Sequence, residues 1–149
     1  MSTSNRFLAL ILFILVVLFL IKNSQKDNVT VKSEPATIEA IIGSDFKKIT
    51  LTEKAVERIG IETASVTEKL NPRTRRREKT IPYSAVIYDL NGETWTYANP
   101  QPRNFVRYPI SIDNIEGDTA VLSKGPDAKT LVVSVGASEL YGIETGIGK

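Results

Sequence analysis

The stretch AVIYDLNGETWTY, residues 85–97, indicates how the C-terminal part of this chain folds. Two β-prone runs, 85–88 and 94–97, flank the pair Asn91-Gly92. An Asn-Gly pair tolerates the positive φ angles of a tight turn between antiparallel strands. The stretch therefore predicts a β-hairpin.

Further β-prone runs follow at 105–112, 119–122 and 130–135, and turn compositions at 116–118 and 125–127 separate them. Several short strands at this spacing predict a mainly β fold, a small barrel or sandwich.

Within these strands we expect the aromatic side chains to fill the core and to form cross-strand pairs, with a ligand-stacking cluster as the alternative. They are Tyr88, Trp95, Tyr97, Phe105 and Tyr108. Pro109 cannot donate a backbone hydrogen bond, so its strand is expected at an edge or to be bulged.

One short helix is expected upstream of the hairpin. Thr52 is suited to cap its N-terminus, Glu53 suits the positive end of the helix dipole, and Gly60 suits a left-handed C-terminal residue. The pattern allows two turns at most, and residues 61–66 resume an extended, alternating pattern.

The stretch 71–79 is strongly basic and is expected to be a loop or the edge of a strand. Its arginines are Arg73, Arg75, Arg76 and Arg77. They are interpreted either as a solvated connection or as a contact to lipid headgroups or an acidic partner. No aromatic residue is interleaved with them, so no base-stacking surface for nucleic acid is expected.

Near the N-terminus, fifteen consecutive apolar residues, 7–21, lie between Arg6 and Lys22. The predicted anchor residues are Phe7, Leu8, Leu10, Ile11, Leu12, Phe13, Ile14, Leu15, Val16, Val17, Leu18, Phe19, Leu20 and Ile21. At about 1.5 Å per residue such a helix covers only ~22 Å of a ~30 Å hydrocarbon layer. A signal-peptide core and a buried helix are therefore alternatives, but no small-residue cleavage site follows, so an uncleaved anchor is preferred.

These segments predict three regions: a membrane anchor at 1–22, a flexible tether at 23–44 and a β-rich extracytoplasmic domain at 45–149. The lysines after the apolar run mildly oppose this orientation by the positive-inside rule. The short N-terminal tail, typical of a signal anchor, favours it.

The amino-acid composition excludes several kinds of catalytic and metal-binding site. The chain has no cysteine and no histidine, which removes Ser-His and Cys-His nucleophile systems and the usual zinc ligands. Asp113, Glu116 and Asp118 lie close together, but turns are commonly acidic, so no enzyme, cofactor or metal site is expected.

The formal charge is +2, with ten basic and six acidic residues in 45–80 and five basic and eight acidic in 81–149. This split predicts an oriented surface.

The order of several motifs resembles the C-terminal part of membrane fusion proteins, the HlyD-like periplasmic adaptors of bacterial efflux and secretion systems. The motifs are Ile81-Pro82-x-x-Ala85-Val86, the Asn-Gly hairpin, residues 105–110, Gly117-Asp118, residues 131–133 and Val135-Gly136-Ala137. Residues 49–66 are similar to the segment with which such adaptors enter their membrane-proximal region. The resemblance covers roughly residues 46 to 149.

The chain departs from this family in lacking the lipoyl half-motifs and the long α-helical hairpin, since only residues 67–80 separate the two similar parts. A turn common in the family also differs here, at 124–130. The resemblance implies a truncated, membrane-proximal β domain that sits beside an inner-membrane protein.

Two functions follow as expectations. The first is a non-enzymatic accessory or adaptor subunit, docked on an inner-membrane efflux or secretion transporter and held on the lipid bilayer. The alternative is a membrane-tethered ligand-binding or envelope-structural module without a transporter partner. The oligomeric state is not indicated.

Overall fold

The structure is a computed structural model that describes residues 34–146. This part of the chain is mainly β, as predicted. Its elements are β1 (Ala36–Ala40), β2 (Lys47–Leu51), α1 (Glu53–Ile59), β3 (Glu62–Ser65), β4 (Thr67–Leu70), β5 (Arg77–Pro82), a 3-10 turn (Tyr83–Ala85), β6 (Ile87–Tyr88), β7 (Thr94–Gln101), β8 (Asn104–Pro109), β9 (Ser111–Glu116), β10 (Thr119–Lys124), β11 (Leu131–Val135) and α2 (Ala137–Thr145).

The strands form two sheets in which all pairings are antiparallel. Sheet A has the order β1-β2-β8-β7-β11-β3, and β6 pairs with β7. Sheet B has the order β4-β5-β10-β9. Neighbours in each sheet are often distant in sequence, so long-range pairing holds the domain together.

The chain passes from sheet A to sheet B at two buried residues, Val66 and Ile110. Val66 separates β3 from β4, and Ile110 separates β8 from β9. The Val66 amide donates to the Thr130 carbonyl and the Ile110 amide donates to the Thr94 carbonyl. Because these backbone groups are paired, burying the two crossings leaves no unsatisfied amide.

Two apolar clusters make the core. The first lies between sheet A and the helices, and the second joins sheet A to sheet B. The first contains Ile49, Leu51, Ala55, Ile87, Tyr97, Phe105, Val133, Ala137 and Leu140. The second contains Val66, Ile81, Ala85, Val86, Ile110, Ala120, Leu122 and Val132. Neighbouring residues of a strand point to opposite faces, so Val132 and Val133 place β11 in both clusters.

The predicted helix is present as α1. The Thr52 side chain accepts from the Ala55 amide, and Gly60 has a left-handed conformation with φ of 71°. Ala55 is buried in the first cluster, with Val56 and Ile59 packed against it. Local capping and one apolar face therefore fix this helix.

The predicted hairpin is also present, with only two residues in its first strand. Ile87 pairs with Trp95 and Tyr88 pairs with Thr94. Of the central pair only Gly92 has a positive φ, and the loop is longer than a two-residue turn because Asp89 pairs with Glu93 through the backbone.

Three sequence predictions differ from the structure. The run 105–112 is not one strand, because it crosses between the sheets at Ile110, and Pro109 ends β8 at that crossing. The predicted tether of 23–44 contains β1, which pairs with β2, so the β domain starts earlier than residue 45. The fold was expected to have one short helix, whereas the described residues contain a second, α2.

The Ile110 crossing gives a stability prediction. Replacing Ile110 by Ala leaves a cavity between the sheets and should lower the free energy of unfolding by about 2–5 kcal/mol. Ile42→Ala is the control, because Ile42 is fully exposed, and should change it by less than about 0.5 kcal/mol. Urea unfolding of the detergent-solubilised chain, followed by fluorescence of its single tryptophan, Trp95, measures both. Equal effects of the two variants would contradict a packed crossing.

Candidate functional site

The predicted arginines lie on a hairpin made by β4 and β5, residues 67–80, which we call the arginine hairpin. Leu70 pairs with Arg77 and Thr67 pairs with Thr80 across it. On its other side β5 pairs with β10 only as far as Lys79. The tip therefore extends past the body of sheet B. The basic stretch 71–79 was expected to be a loop or the edge of a strand. Residues 71–76 are the loop of the hairpin, as expected, whereas 77–79 begin β5, which lies inside the sheet while β4 forms its edge.

The loop at the tip of the arginine hairpin is held by Asn71. Its side-chain oxygen accepts from the amides of Arg73 and Thr74, at 2.9 and 3.1 Å. Its side-chain nitrogen donates to a carboxylate oxygen of Glu78 at 2.7 Å. The Arg75 amide donates to the Asn71 carbonyl. An Asx turn thus gives the arginines a defined backbone.

The charges of the arginine hairpin are mostly uncompensated. It carries six basic and two acidic residues. Arg77 contacts Glu68 at 3.1 Å, and Lys79 contacts Asp127 at 3.1 Å. Within residues 34–146, the exposed side chains of Arg73, Arg75 and Arg76 form no ion pair. Three of the four predicted partner or lipid contact residues therefore lie on one protruding turn, and the fourth, Arg77, begins β5.

A second feature is a groove of about 770 Å³ beside β1. Its lining is mostly apolar, with two carboxylates. The lining residues are Glu34, Pro35, Ala36, Ile38, Ile59, Ser138, Glu139, Gly142, Ile143 and Gly146. The groove therefore brings together β1, the end of α1 and one side of α2, three elements that are distant in sequence.

The position of α2 depends on a close approach at Gly136. This residue has a φ of 89°, and a Cβ atom added there would lie 2.5 Å from Ile61 Cδ1 and 2.8 Å from Ile59 Cγ2. Only glycine combines this backbone conformation with this contact. Gly136 therefore lets α2 begin directly against the segment that follows α1.

A buried polar cluster holds the other end of α2 on sheet A. Glu144, on α2, accepts a hydrogen bond of 2.5 Å from the Tyr97 hydroxyl and lies 3.4 Å from Arg107 Nε. The Arg107 guanidinium stacks over the Trp95 ring, 4.4 Å from its centroid. The indole of Trp95 donates to Asp89 at 3.1 Å. The free-energy cost of burying the Glu144 carboxylate is offset because a hydrogen-bond donor and a cation lie beside it.

Two groups in the cluster have shifted pKa values. Burial raises the pKa of Tyr97, and the hydrogen bond to Glu144 and its charge raise it further. Desolvation alone would raise the pKa of Asp89. Hydrogen bonds from the Glu93 amide and the Trp95 indole outweigh it, so the pKa of Asp89 lies below its ordinary value. The Tyr97 phenol is thus a stable donor rather than a proton carrier.

Two of the five aromatic residues of the strands fill the core, and the other three are half-buried or exposed. Tyr97 and Phe105 are buried in the core, as expected. Trp95 is half-buried and packs edge-on against Phe46, with ring centroids 5.7 Å apart. Tyr88 and Tyr108 are exposed and do not form a joint stacking surface with the buried pair.

The acidic residues Asp113, Glu116 and Asp118 are exposed on β9 and on the turn that follows it. Among the described residues, no group of three or more acidic side chains is arranged to hold a metal ion.

The predicted anchor, residues 7–21, lies outside the described residues. Within 34–146, neither helix has the length and apolar character required to cross a bilayer.

Sequence reasoning missed the groove and the polar cluster because both depend on α2. The signal was weak, since Gly142 in the middle of α2 lowers the helix propensity of the segment and the sequence pattern predicts Glu144 to be exposed. The one sequence cue was the spacing of Leu140 and Ile143 after Gly136.

No protein-family model, no curated protein and no solved structure matches this chain.

The Tyr97 hydroxyl gives a pH prediction. An unfolded tyrosine ionises near pH 10, whereas folded Tyr97 keeps its proton at that pH. This part of the stability is complete below about pH 10 and falls by about 1.4 kcal/mol per pH unit above it. Urea unfolding between about pH 8 and pH 11 should show a shallower alkaline decline in Tyr97→Phe. Tyr108→Phe, at an exposed site, should decline like the parent chain. A parallel decline of Tyr97→Phe and the parent chain would contradict this assignment.

Proposed function

We propose that this chain is a non-enzymatic, membrane-anchored adaptor subunit that docks on an inner-membrane efflux or secretion transporter. The observation that supports it most is a short spacing. The apolar run ends at residue 21, and the first strand of the β domain begins at Ala36. Fully extended, the intervening residues reach at most about 50 Å. As a flexible coil they span about 20 Å.

This short spacing limits the proteins that the domain can reach to those in or near the same bilayer. A domain held within a few tens of ångströms of a bilayer meets proteins in that bilayer at an effective concentration of about millimolar. Even a weak contact surface would then be occupied. The resemblance of residues 46–149 to periplasmic adaptors supports a transporter as the partner, and a mainly β domain agrees with it.

The lack of cysteine and histidine in the sequence supports a binding role rather than a catalytic one. Cysteine, a frequent nucleophile, and histidine, the side chain that most often serves as a base at neutral pH, are missing.

We assign the groove beside β1 to the transporter. Ile38, Ile59 and Ile143 give it an apolar floor, and Glu34 and Glu139 add carboxylates. The occupant that fits this lining is an apolar segment of the transporter that carries a lysine or arginine. Apolar burial would supply affinity, and the carboxylates would select the basic end.

Ile38 provides the test. It lies on β1, is 39% exposed and lines the groove. Ile38→Lys places a cation where we expect the basic end of the partner, and should reduce co-purification of transporter components several-fold. The measurement is affinity purification of the full-length chain after mild crosslinking in membranes, with the neighbours identified by mass spectrometry.

Ile42→Lys is the matched control, because Ile42 is fully exposed just after β1 and does not line the groove. It should leave the yield unchanged. Recovery of no transporter component with the parent chain would reject the adaptor function and favour the alternative, a tethered ligand-binding or envelope-structural module. Equal losses in both lysine variants would reject the groove as the contact.

A further inference from the structure

The arginine hairpin is the positive pole of the domain. In sheet B it occupies one edge, β4, while β9 occupies the opposite edge and carries the exposed residues Asp113 and Glu116. Three strand spacings separate the two edges by about 14 Å. Near a negatively charged surface this separation of charge orients the arginine hairpin toward that surface and the acidic edge away from it.

The tip of the arginine hairpin exposes side chains rather than free backbone amides. Amides in the loop are used internally: those of Arg73 and Thr74 donate to the Asn71 side chain, and that of Arg75 donates to the Asn71 carbonyl. No free amides therefore form a phosphate-binding nest. What remains available is a set of exposed guanidinium groups on a protruding turn.

An apolar side chain accompanies these charges. Leu70 is 65% exposed at the end of β4. It is the register partner of Arg77, so both side chains point to the same side of the arginine hairpin. Basic residues next to an exposed apolar one are typical of surfaces that enter the headgroup region of a bilayer.

We propose that the arginine hairpin binds anionic lipid headgroups, with Arg73, Arg75 and Arg76 contacting phosphates and Leu70 entering between the headgroups. A protruding tip needs a concave acidic pocket in order to bind a protein, whereas a lipid surface adapts to it. Each basic side chain near an anionic bilayer adds roughly a fivefold preference for the docked state. This proposal uses the membrane anchor of the proposed function but requires no transporter.

The test uses the full-length chain in nanodiscs, with an environment-sensitive fluorophore on a single introduced cysteine. The natural chain has no cysteine, so labelling is specific. The reporter is Leu70→Cys. The matched control is Leu90→Cys, another exposed leucine, which lies on the acidic loop between Asp89 and Glu93.

In discs that contain phosphatidylglycerol we expect a blue shift and protection from aqueous quenchers at position 70 and not at position 90. Discs of phosphatidylcholine alone should give neither. Raising the salt to molar concentration should reverse the shift, because screening then acts within about 3 Å.

Variants that change the charge of the arginine hairpin distinguish binding to lipid from binding to a protein. Replacing Arg73, Arg75 and Arg76 together by glutamine should lower the docked-to-undocked ratio roughly 100-fold, whereas the triple lysine replacement should keep most of it. The loop backbone in both variants remains held by Asn71, so loss of folding does not explain a difference.

Three results would overturn the proposal. One is an identical signal at position 70 in anionic and neutral discs. Another is an equal loss in the glutamine and lysine variants, which would indicate a geometry-specific acidic protein site. The third is no shift in either disc, which would leave the hairpin as a solvated edge. Failure of the anchor would be distinct, because the chain would then not co-elute with the discs.

Discussion

The architecture depends on one requirement, that β11 be apolar on both faces. Val133 packs with Tyr97 and Phe105 beneath the helices, while Val132 packs toward sheet B. Both side chains are fully buried. β11 also lies between β7 and β3 and so completes sheet A. A polar side chain at either position would remove the contact that unites the two clusters.

The parts of the fold that follow from neighbouring residues could be predicted. Thr52 and Gly60 delimit α1 because a cap and a left-handed residue act within a few positions. The Asn91-Gly92 turn and the β-prone runs were likewise correct in kind. The functional emphasis on the arginines also came from the sequence, since a dense run of one charge is visible without a structure.

The parts that depend on distant residues could not be predicted. Ile110 looks like any residue of an alternating strand, and only its pairing with Thr94 shows that the chain changes sheets there. Glu144 looks solvated, and its burial becomes reasonable only when Tyr97 and Arg107 lie beneath it. The groove beside β1 likewise needs three separate segments. In each case the deciding neighbour lies far away in sequence.

The order of the strands also affects how the domain is made. β3 is synthesised early, but its neighbour in sheet A is β11. Likewise, β5 is synthesised well before its neighbour β10. Sheet B is not complete until residues 119–124 have emerged, and sheet A is not complete until residues 131–135 have emerged. The domain is therefore completed late in synthesis, when β10 reaches β5 and β11 reaches β3. Until then one edge of β3 and one edge of β5 are open to pairing with other strands.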